Sequence, residues 1–528
     1  MFEDKTYKRC GCHGPLLHKR GPLKGTPKLD PAGNQLTGPL DKSCPLLNRR
    51  DHGSWYYSIE LDTKVGGKRQ RAVRGGFKTQ KKAAAAAKTT YEQSRAGLKV
   101  LSKETLGNYM AKWLEGKQDL ATTTVPGYER HIRLYISNYI GHVPLIELDA
   151  DHIREMFKAI NDENERRDAH RAQVEALAED AQAKGLIWRQ TPPGDARAEA
   201  RAAWNEAKAR LTAERKQLHR ITDTPTQHRI KATLSSALED AVKALKVVRN
   251  WAALVELPTY KRPKALVWTA IRVAEWARTG ERPSPVMVWT PELTGAFLDA
   301  VAGDRLYPLW HLFALRGLRR GEGCALQWSS IDLEARTIHI SHQVVAIASK
   351  VFKEDPKADS VRTITIDRET VELLRRWQAQ QTAEREAWNE AHKDDLWKDT
   401  GAVFTKENGE PHHPDYLTHR FELLITKAEL PPIRLHDLRH GTAGISNAAG
   451  MSMKDISELL GHSGIQITAD TYTSVFPQFQ HAQAEATLAV VPRANRVTPA
   501  AEAASKAADP TRRERAAKRK RIRVAVGV

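Results

Sequence analysis

A histidine and an arginine in the C-terminal third of the chain are spaced so that both could contact one phosphate group. His436 and Arg439 lie three residues apart in the segment LHDLRH, which places both side chains on the same face of a helix. An arginine guanidinium can bind two phosphate oxygens at once, whereas a lysine ammonium cannot. Taken alone, such a pair is more typical of a solvated helix face, so its meaning depends on the rest of the chain.

The overall charge favours nucleic acid as a partner. The 528 residues include 83 Lys and Arg against 64 Asp and Glu, a formal net charge of +19, and such a field attracts polyanions. Eleven basic residues and one acidic residue fall between Lys64 and Lys99, close to the aromatic run at 55–57. A solvated cationic face is the alternative. We predict that this window binds DNA phosphates, with six basic contacts: Lys64, Lys68, Arg69, Arg71, Arg74 and Lys78.

Four cysteines in a chain of this length exclude a disulfide framework for the whole protein and are typical of a reducing compartment. A C-x-C pair is a poorer zinc signal than paired C-x-x-C motifs, so we predict no metal and ordinary reduced thiols in a flexible segment. The alternative is a zinc site formed by Cys10, Cys12, Cys44 and His52, with His13 or His18 competing for the fourth position.

No uninterrupted apolar stretch approaches the roughly 18–20 residues of a membrane span. The N-terminal residues MFEDKTYKRC also lack the apolar core of a signal peptide. We therefore expect a cytoplasmic protein with no membrane contact.

The pattern of hydropathy, charge and proline divides the chain into six segments. WYYSIEL and QRAVRGGF predict two strands, and TQKKAAAAAKTTYEQSR predicts a helix, so residues 51–100 should form a small sheet with one helix. The insertion at 161–222 has the pattern of a helical hairpin, with a break at Lys184–Asp195, and its balanced charge favours a solvated role over DNA contact. The predicted segments are a Cys-containing segment (1–50), the basic domain (51–100), a helical domain containing the insertion (101–260), a linker (261–285), a mixed α/β domain (286–495) and a basic disordered tail (496–528).

Four motifs of the C-terminal domain together resemble a tyrosine recombinase of the phage and plasmid integrase type. They are LRGLRRGEGCALQW, DPKADSVRTITI, IRLHDLRHGTAGISNAAGMSMKDISELLGHS and ITADTYTSVFP, in the family's order and spacing. The resemblance implies a multidomain, mainly α protein with small β-sheets: an arm-binding domain of sheet plus helix, a helical core-binding domain, and a mixed α/β catalytic domain. It also implies an enzyme that cuts and rejoins DNA through a covalent 3′-phosphotyrosine, as a tetramer on two duplexes, without a cofactor.

The resemblance assigns Arg319 as the first catalytic arginine. Arg320 is the alternative, and its other expected role is a salt bridge to Glu322, a residue that the family uses to orient the site. Lys357 resembles the hairpin lysine that protonates the leaving 5′-oxygen, with Lys353 as the alternative. Arg316 stands where the family usually has threonine, a position that is not catalytic.

The same resemblance assigns the remaining catalytic residues. His436 and Arg439 are implied as phosphate contacts, and Asp437 between them as a brace. His462 would bond the attacked phosphate and help to manage the tyrosine proton, and Tyr472 would be the nucleophile. An isolated tyrosine would instead be interpreted as a half-buried core residue.

The implied partners are double-stranded DNA with core- and arm-type attachment sites, other copies of the chain in a tetramer, and an excision helper protein. The implied location is the cytoplasm of a bacterium, in association with the nucleoid. Two alternatives stay open: a type IB topoisomerase, which uses the same chemistry on one duplex, and a DNA-binding architectural factor without catalysis.

Overall fold

The computed structural model describes residues 2–18, 21–65, 68–118, 120–347, 350–354, 360–462, 464, 484, 487 and 488, without the side chains of 63–68. The chain forms two units, Met1–Lys261 and Arg262–Val528. Lys357, Tyr472 and the tail at 496–528 lie outside the described residues. Among the residues that are described, no helix combines the length and the apolar character needed to cross a bilayer.

The first unit begins with a four-stranded antiparallel sheet. The elements are β1 (Thr6–Pro15), β2 (Thr37–Asp41), β3 (Ser54–Val65), β4 (Lys68–Phe77) and the helix α1 (Gln80–Arg95). The spatial order of the strands is β2-β1-β3-β4, and α1 packs on the sheet. Helix α1 begins at the cap Thr79, which accepts a hydrogen bond from the backbone N–H of Lys82. Tyr57 and Ile59 of the sheet and Ala87 of the helix are buried between them.

This sheet corrects the predicted boundary between residues 50 and 51. Thr6–Arg9 of β1 pair with Ser54–Tyr57 of β3, so the N-terminal segment belongs to the same sheet as the basic residues. The two strands and the helix predicted within 51–100 are all present. The earlier strands were missed because glycine and cysteine interrupt the apolar alternation that marks a strand.

A helical bundle completes the first unit. Its core includes Leu106, Ile136, Ile153 and Leu234, all almost fully buried. The elements are α2 (Leu106–Glu115), α3 (Thr124–His131), which continues through one π-helical turn at Ile132–Ile136 into α4 (Ser137–Ile140), α5 (Ala150–Gln190), α6 (Asp195–Lys216) and α7 (Thr224–Lys243).

The predicted insertion is a helical hairpin, but it does not begin where the sequence suggested. Helix α5 starts at the cap Asp149 in the bundle and runs without interruption for 41 residues to Gln190. It then turns at 191–194 and packs against α6, where Trp188 and Trp204 stack with ring centroids 4.8 Å apart. No proline or glycine occurs near residue 160 to end the helix, so the insertion extends an existing element.

The described part of the second unit has a mainly helical core with three small sheets. Large aromatic side chains, among them Trp289, Phe297, Trp310 and Phe421, pack together in the core. The helices are α8 (Ala270–Thr279), α9 (Pro291–Ala300), α10 (Tyr307–Arg316), α11 (Arg320–Ala325), α12 (Arg368–Ala391), α13 (Pro414–Lys427), α14 (Leu435–Ala448) and α15 (Met453–Leu460). The strands are β5 (Leu266–Val267), β6 (Met287–Val288), β7 (Ile331–Asp332), β8 (Thr337–Ile340), β9 (Gln343–Ile347), β10 (Lys350–Glu354) and β11 (Arg362–Thr365).

The linker predicted at 261–285 is instead part of this second unit. Strand β5 pairs in parallel with β6 across helix α8. Trp268 is 1% exposed, and its indole Nε1 donates a hydrogen bond to the Pro432 carbonyl 3.3 Å away. Three prolines suggested a linker, but the buried tryptophan attaches the segment to the core and moves the domain boundary to about residue 262.

Candidate active site

A break between two helices presents Arg319. Helix α10 ends at Arg316, and Gly317 adopts a left-handed conformation with φ +61°. A Cβ at Gly317 would lie 2.6 Å from Leu460 Cδ2, so both the turn and the close approach require glycine. Arg319 then precedes α11. Arg316, at the position where the family usually has threonine, forms an ion pair with Asp367, the N-cap of α12.

Glu322 is the buried anchor of the site. Its carboxylate is 1% exposed and accepts hydrogen bonds from Arg319 Nη1 at 2.7 Å and from the guanidinium of Arg362, Nη1 and Nη2, at 2.9 Å each. Burial alone would raise the pKa of Glu322, but the two arginines outweigh it and hold that pKa below its usual value. Glu322 is therefore ionised and fixes both guanidinium groups.

Arg320, the alternative to Arg319, points elsewhere. Its guanidinium donates to Asp415 Oδ1 at 2.9 Å and to Thr418 Oγ1 at 2.8 Å on α13. The expected salt bridge from Arg320 to Glu322 is thus wrong, and Glu322 pairs with Arg319 instead. This difference supports Arg319 as the arginine of the site.

Helix α14 carries both His436 and Arg439. Arg439 is 3% exposed, and its Nη1 donates to the Gly317 carbonyl at 2.7 Å, while its Nη2 donates to the Leu460 carbonyl. His436 lies one turn earlier, and its ring meets that of His440 edge-on with centroids 5.2 Å apart. Asp437 is buried and accepts hydrogen bonds from Arg434, in agreement with its predicted bracing role.

The end of α15 joins these parts. Gly461 has φ +62° and ends the helix, and His462 follows directly. Arg439 donates to the Leu460 carbonyl and Arg319 Nη2 donates to the Gly461 carbonyl at 2.7 Å. Two arginines from different helical segments therefore hold consecutive carbonyls of one turn, and this turn delivers His462 beside them.

The histidines of the site are neutral at pH 7. Burial first, then the positive charges of Arg439 and Arg319, lowers the pKa of His462 to about 4. Desolvation, followed by the neighbouring His440 and Arg439, also lowers the pKa of His436 below its ordinary value. Neutral imidazoles can accept a proton or a hydrogen bond, so the arginines supply the positive charge for an anion.

Three stretches of the chain match models of known protein families. Residues 297–478 match the phage integrase family, residues 105–160 match the N-terminal SAM-like domain of phage integrases, and residues 48–93 match an arm DNA-binding domain. A XerC-like tyrosine recombinase of Caldanaerobacter subterraneus is 31% identical over 34% of this chain and 48% of its own length. The chain belongs to the tyrosine recombinases.

Other similar proteins are named integrases. The ICEBs1 integrase of Bacillus subtilis is 30% identical over 37% of this chain and 53% of its own length. This recombinase therefore spans about half the length of the curated relatives that it matches. The solved structure of the Tn1549 transposon integrase with transposon right end DNA is 18% identical, covers 73% of this chain and all of its own, and gives a TM-score of 0.47.

Three of the six predicted catalytic residues, Arg319, Arg439 and His462, meet at the turn 460–462, and His436 lies one helical turn before Arg439 on α14. Lys357 and Tyr472 lie outside the described residues, while the alternative Lys353 lies exposed on β10. Sequence patterns did not reveal Arg362, whose Nε also donates to the Leu459 carbonyl at 2.7 Å. They also did not reveal His440, whose ring meets that of His436 edge-on.

Three of the six predicted DNA contacts, Arg69, Arg71 and Arg74, have acidic neighbours. Arg71 donates to Glu60 at 3.1 Å, and Arg69 lies 3.9 Å from the same carboxylate. Arg74 pairs with Glu147. Lys64 and Lys68 lie on β3 and β4 with side chains outside the described part of the chain, and Lys78 lines a pocket on the sheet. These exposed pairs are weak, so phosphate could replace the carboxylates.

Proposed function

We propose that this chain is a site-specific DNA recombinase that cleaves and rejoins double-stranded DNA through a 3′-phosphotyrosyl intermediate. The supporting observation is the convergence of Arg319, Arg439 and His462 on the single turn at 460–462, with Glu322 buried behind them. The matching relatives are named as recombinases or integrases. The activity of the whole protein is inferred from these points.

The proposed chemistry begins with attack of the Tyr472 oxygen on the scissile phosphorus. The new bond joins phosphorus to the tyrosine oxygen, and the bond to the 5′-oxygen breaks with its electron pair on that oxygen. Arg319 and Arg439 bind the non-bridging oxygens, whose negative charge grows in the transition state. Lys357 gives a proton to the leaving 5′-oxygen. Rejoining is the reverse reaction with a 5′-hydroxyl of the partner strand.

His462 is proposed to take the proton of Tyr472. In the free protein the pKa of His462 is about 4, which makes the ring a weak base. A bound phosphate adds negative charge beside the ring and opposes the effect of the two arginines, so DNA binding should raise this pKa. A free tyrosine has a pKa near 10, so this transfer is uphill in both states, but the difference between the two pKa values narrows when DNA occupies the site.

The test uses the full chain and a nicked half-site DNA from which the cleaved 5′-fragment diffuses away. We expect a covalent adduct in Mg²⁺-free buffer without ATP, mapped by mass spectrometry to Tyr472, and no adduct with Tyr472→Phe at unchanged DNA binding. An adduct on another tyrosine would refute the assignment. Absence of any adduct would favour an architectural factor, and relaxation of plasmids without an attachment site would favour a topoisomerase.

We further propose that the recombinase acts in the bacterial cytoplasm, integrating or excising a mobile element as a tetramer on core- and arm-type sites, with a helper protein for excision. The apolar-periodic segment FQHAQAEATLAVV, downstream of Tyr472, is the proposed contact with the next protomer. Deleting residues from Phe479 onward should preserve DNA binding but abolish higher-order complexes in sedimentation. Normal assembly of the truncated chain would exclude this role.

A further inference from the structure

Three cysteines and a histidine converge at one end of the N-terminal sheet. The ligand atoms of Cys10, Cys12, Cys44 and His52 all lie within 4.8 Å of one another. His52 Nε2 lies 3.4 Å from Cys12 Sγ and 3.5 Å from Cys44 Sγ. We propose that these four residues bind one structural zinc ion, in place of the reduced thiols that the sequence favoured.

The spacing of these atoms fits tetrahedral coordination. Zinc bonds of about 2.3 Å to sulfur and about 2.05 Å to nitrogen, at tetrahedral angles, place sulfur and nitrogen about 3.5 Å apart and two sulfurs about 3.8 Å apart. The two measured sulfur–nitrogen distances, 3.4 and 3.5 Å, already have this value. The widest separation, at most 4.8 Å, needs to close by only about 1 Å.

Local backbone structure explains why these distant residues meet. Cys10 and Cys12 are two positions apart on β1, where the pairing with β2 shifts register between Cys10 and His13, and their sulfur atoms lie within 4.8 Å of each other. Cys44 precedes the short helical turn Pro45–Asn48. His52 precedes Gly53, where φ is +76° and an added Cβ would lie 2.7 Å from the Arg9 carbonyl. Glycine at 53 thus lets the chain beside His52 approach β1.

The donor set selects the metal. Three thiolates with one imidazole suit Zn²⁺, whereas Mg²⁺ and Ca²⁺ require oxygen ligands. Four protein ligands leave no open position, which is typical of a structural site. His13, which competed for the fourth position in the sequence, is exposed and contacts the Gly11 carbonyl. Among the described residues, these four form the group suited to a metal ion.

The ion would fix a basic and aromatic surface of the sheet. It would link β1, which carries Lys8, to the connection between β2 and β3, which carries Lys42 and Arg50. With Tyr7 and Trp55, these residues line a cavity of about 670 Å³, and Lys42 Nζ lies 3.4 Å from the Tyr7 ring centroid. Positioning of this surface for arm-type DNA rests on the proposed function, but the zinc site itself does not.

The first experiment measures the metal content of the full chain after extensive buffer exchange. We expect one zinc ion per chain, and its loss on Cys44→Ser or His52→Ala. Matched controls are His13→Ala and Cys324→Ser, which should retain zinc, since Cys324 is buried in the other unit. A wild-type chain without stoichiometric zinc, or loss of zinc in His13→Ala but not in His52→Ala, would overturn the proposal.

A second experiment covers the case in which the ligand variants fail to fold. Cobalt substituted into the wild-type chain should give the visible absorption of a tetrahedral site together with thiolate charge-transfer bands. Three thiols should resist alkylation until a chelator is added, with Cys324 as a reference that reacts only in denaturant. Equal alkylation with and without metal, or an octahedral cobalt spectrum, would exclude a Cys₃His site. Neither readout requires DNA, so failure of recombination would leave the result intact.

Discussion

Replacing Glu322 by glutamine should separate the positioning of Arg319 from the binding of DNA. The Glu322 carboxylate accepts four hydrogen bonds, one from the Arg319 backbone N–H and three from the guanidinium groups of Arg319 and Arg362. Glutamine keeps the volume but offers one acceptor oxygen and turns an NH₂ group toward the arginine donors. The guanidinium groups of Arg319 and Arg362 would then lack this counter-ion. The Arg362 side chain is only 7% exposed, so water could not replace it.

The magnitude follows from this burial. Removing one partner of a buried ion pair costs about 3–5 kcal/mol, a large part of the roughly 5–15 kcal/mol that stabilises a typical domain. Glu334→Gln is the matched control, because the Glu334 side chain is 89% exposed where it pairs with Arg375. An exposed pair of this kind contributes about 0–1 kcal/mol.

The assay combines urea unfolding, followed by tryptophan fluorescence, with half-site cleavage and DNA binding. For Glu322→Gln we expect the unfolding free energy of the second unit to fall by about 3 kcal/mol or more. Displacement of Arg319 should slow covalent adduct formation by about 100-fold, with DNA affinity nearly unchanged. If Glu322→Gln and Glu334→Gln unfold alike and cleave alike, Glu322 does not anchor the site.

Three further predictions follow from the arm sheet, a buried histidine and a glycine turn. Neutralising Lys68, Arg69, Arg71 and Arg74 should flatten the salt dependence of arm-type DNA binding by up to ~0.9 log unit per lost phosphate contact, with half-site cleavage unchanged; equal loss of both activities would contradict separate binding surfaces. Burial and Arg305 lower the pKa of His412 to about 4, so the unfolded chain binds protons that the folded chain does not. The unfolding free energy should therefore fall as pH drops from about 6.5 to 4, by up to about 3 kcal/mol for this residue. If His412→Gln shows the same dependence of unfolding free energy on pH as the wild type, His412 is not the source of the effect. Gly317→Ala should lower the free energy of unfolding by roughly 1 kcal/mol or more and slow cleavage, because φ is +61° and the new Cβ would clash with Leu460. The control is Gly303→Ala, whose added Cβ meets no atom within 4 Å. Equal melting temperatures for the two variants would count against a requirement for glycine at this turn.

The sequence predicted the motif-bearing parts of this protein well because their signals are local. Thr290 caps α9 with Pro291 at its first position, a local signal that the sequence itself carries. The two strands and the helix of the basic domain also follow from short-range propensity. The four described candidate site residues were predicted from the order of the motifs, which charge alone would not provide.

The parts that the sequence could not predict depend on contacts between distant residues. Strand β1 owes its place to pairing with β3, and Trp268 owes its burial to a core assembled from later helices. Arg362 had the ordinary appearance of a strand residue, and only its contacts with Glu322 and the Leu459 carbonyl reveal a positioning role. Nothing in the local pattern distinguishes Arg319 from Arg320, which diverge only once α11 and α13 pack.

The uninterrupted course of α5 has a mechanical consequence. At 1.5 Å per residue, a helix of 41 residues is about 61 Å long, and about 45 Å of it lies beyond residue 160. Because no loop separates that outer part from the bundle, the hairpin works as a stiff lever, closed near its tip by the Trp188–Trp204 stack. A 10° rotation of the bundle would move the tip by about 8 Å. A pair of spectroscopic labels, with one at this tip, would thus magnify reorientations that are too small to detect at the base.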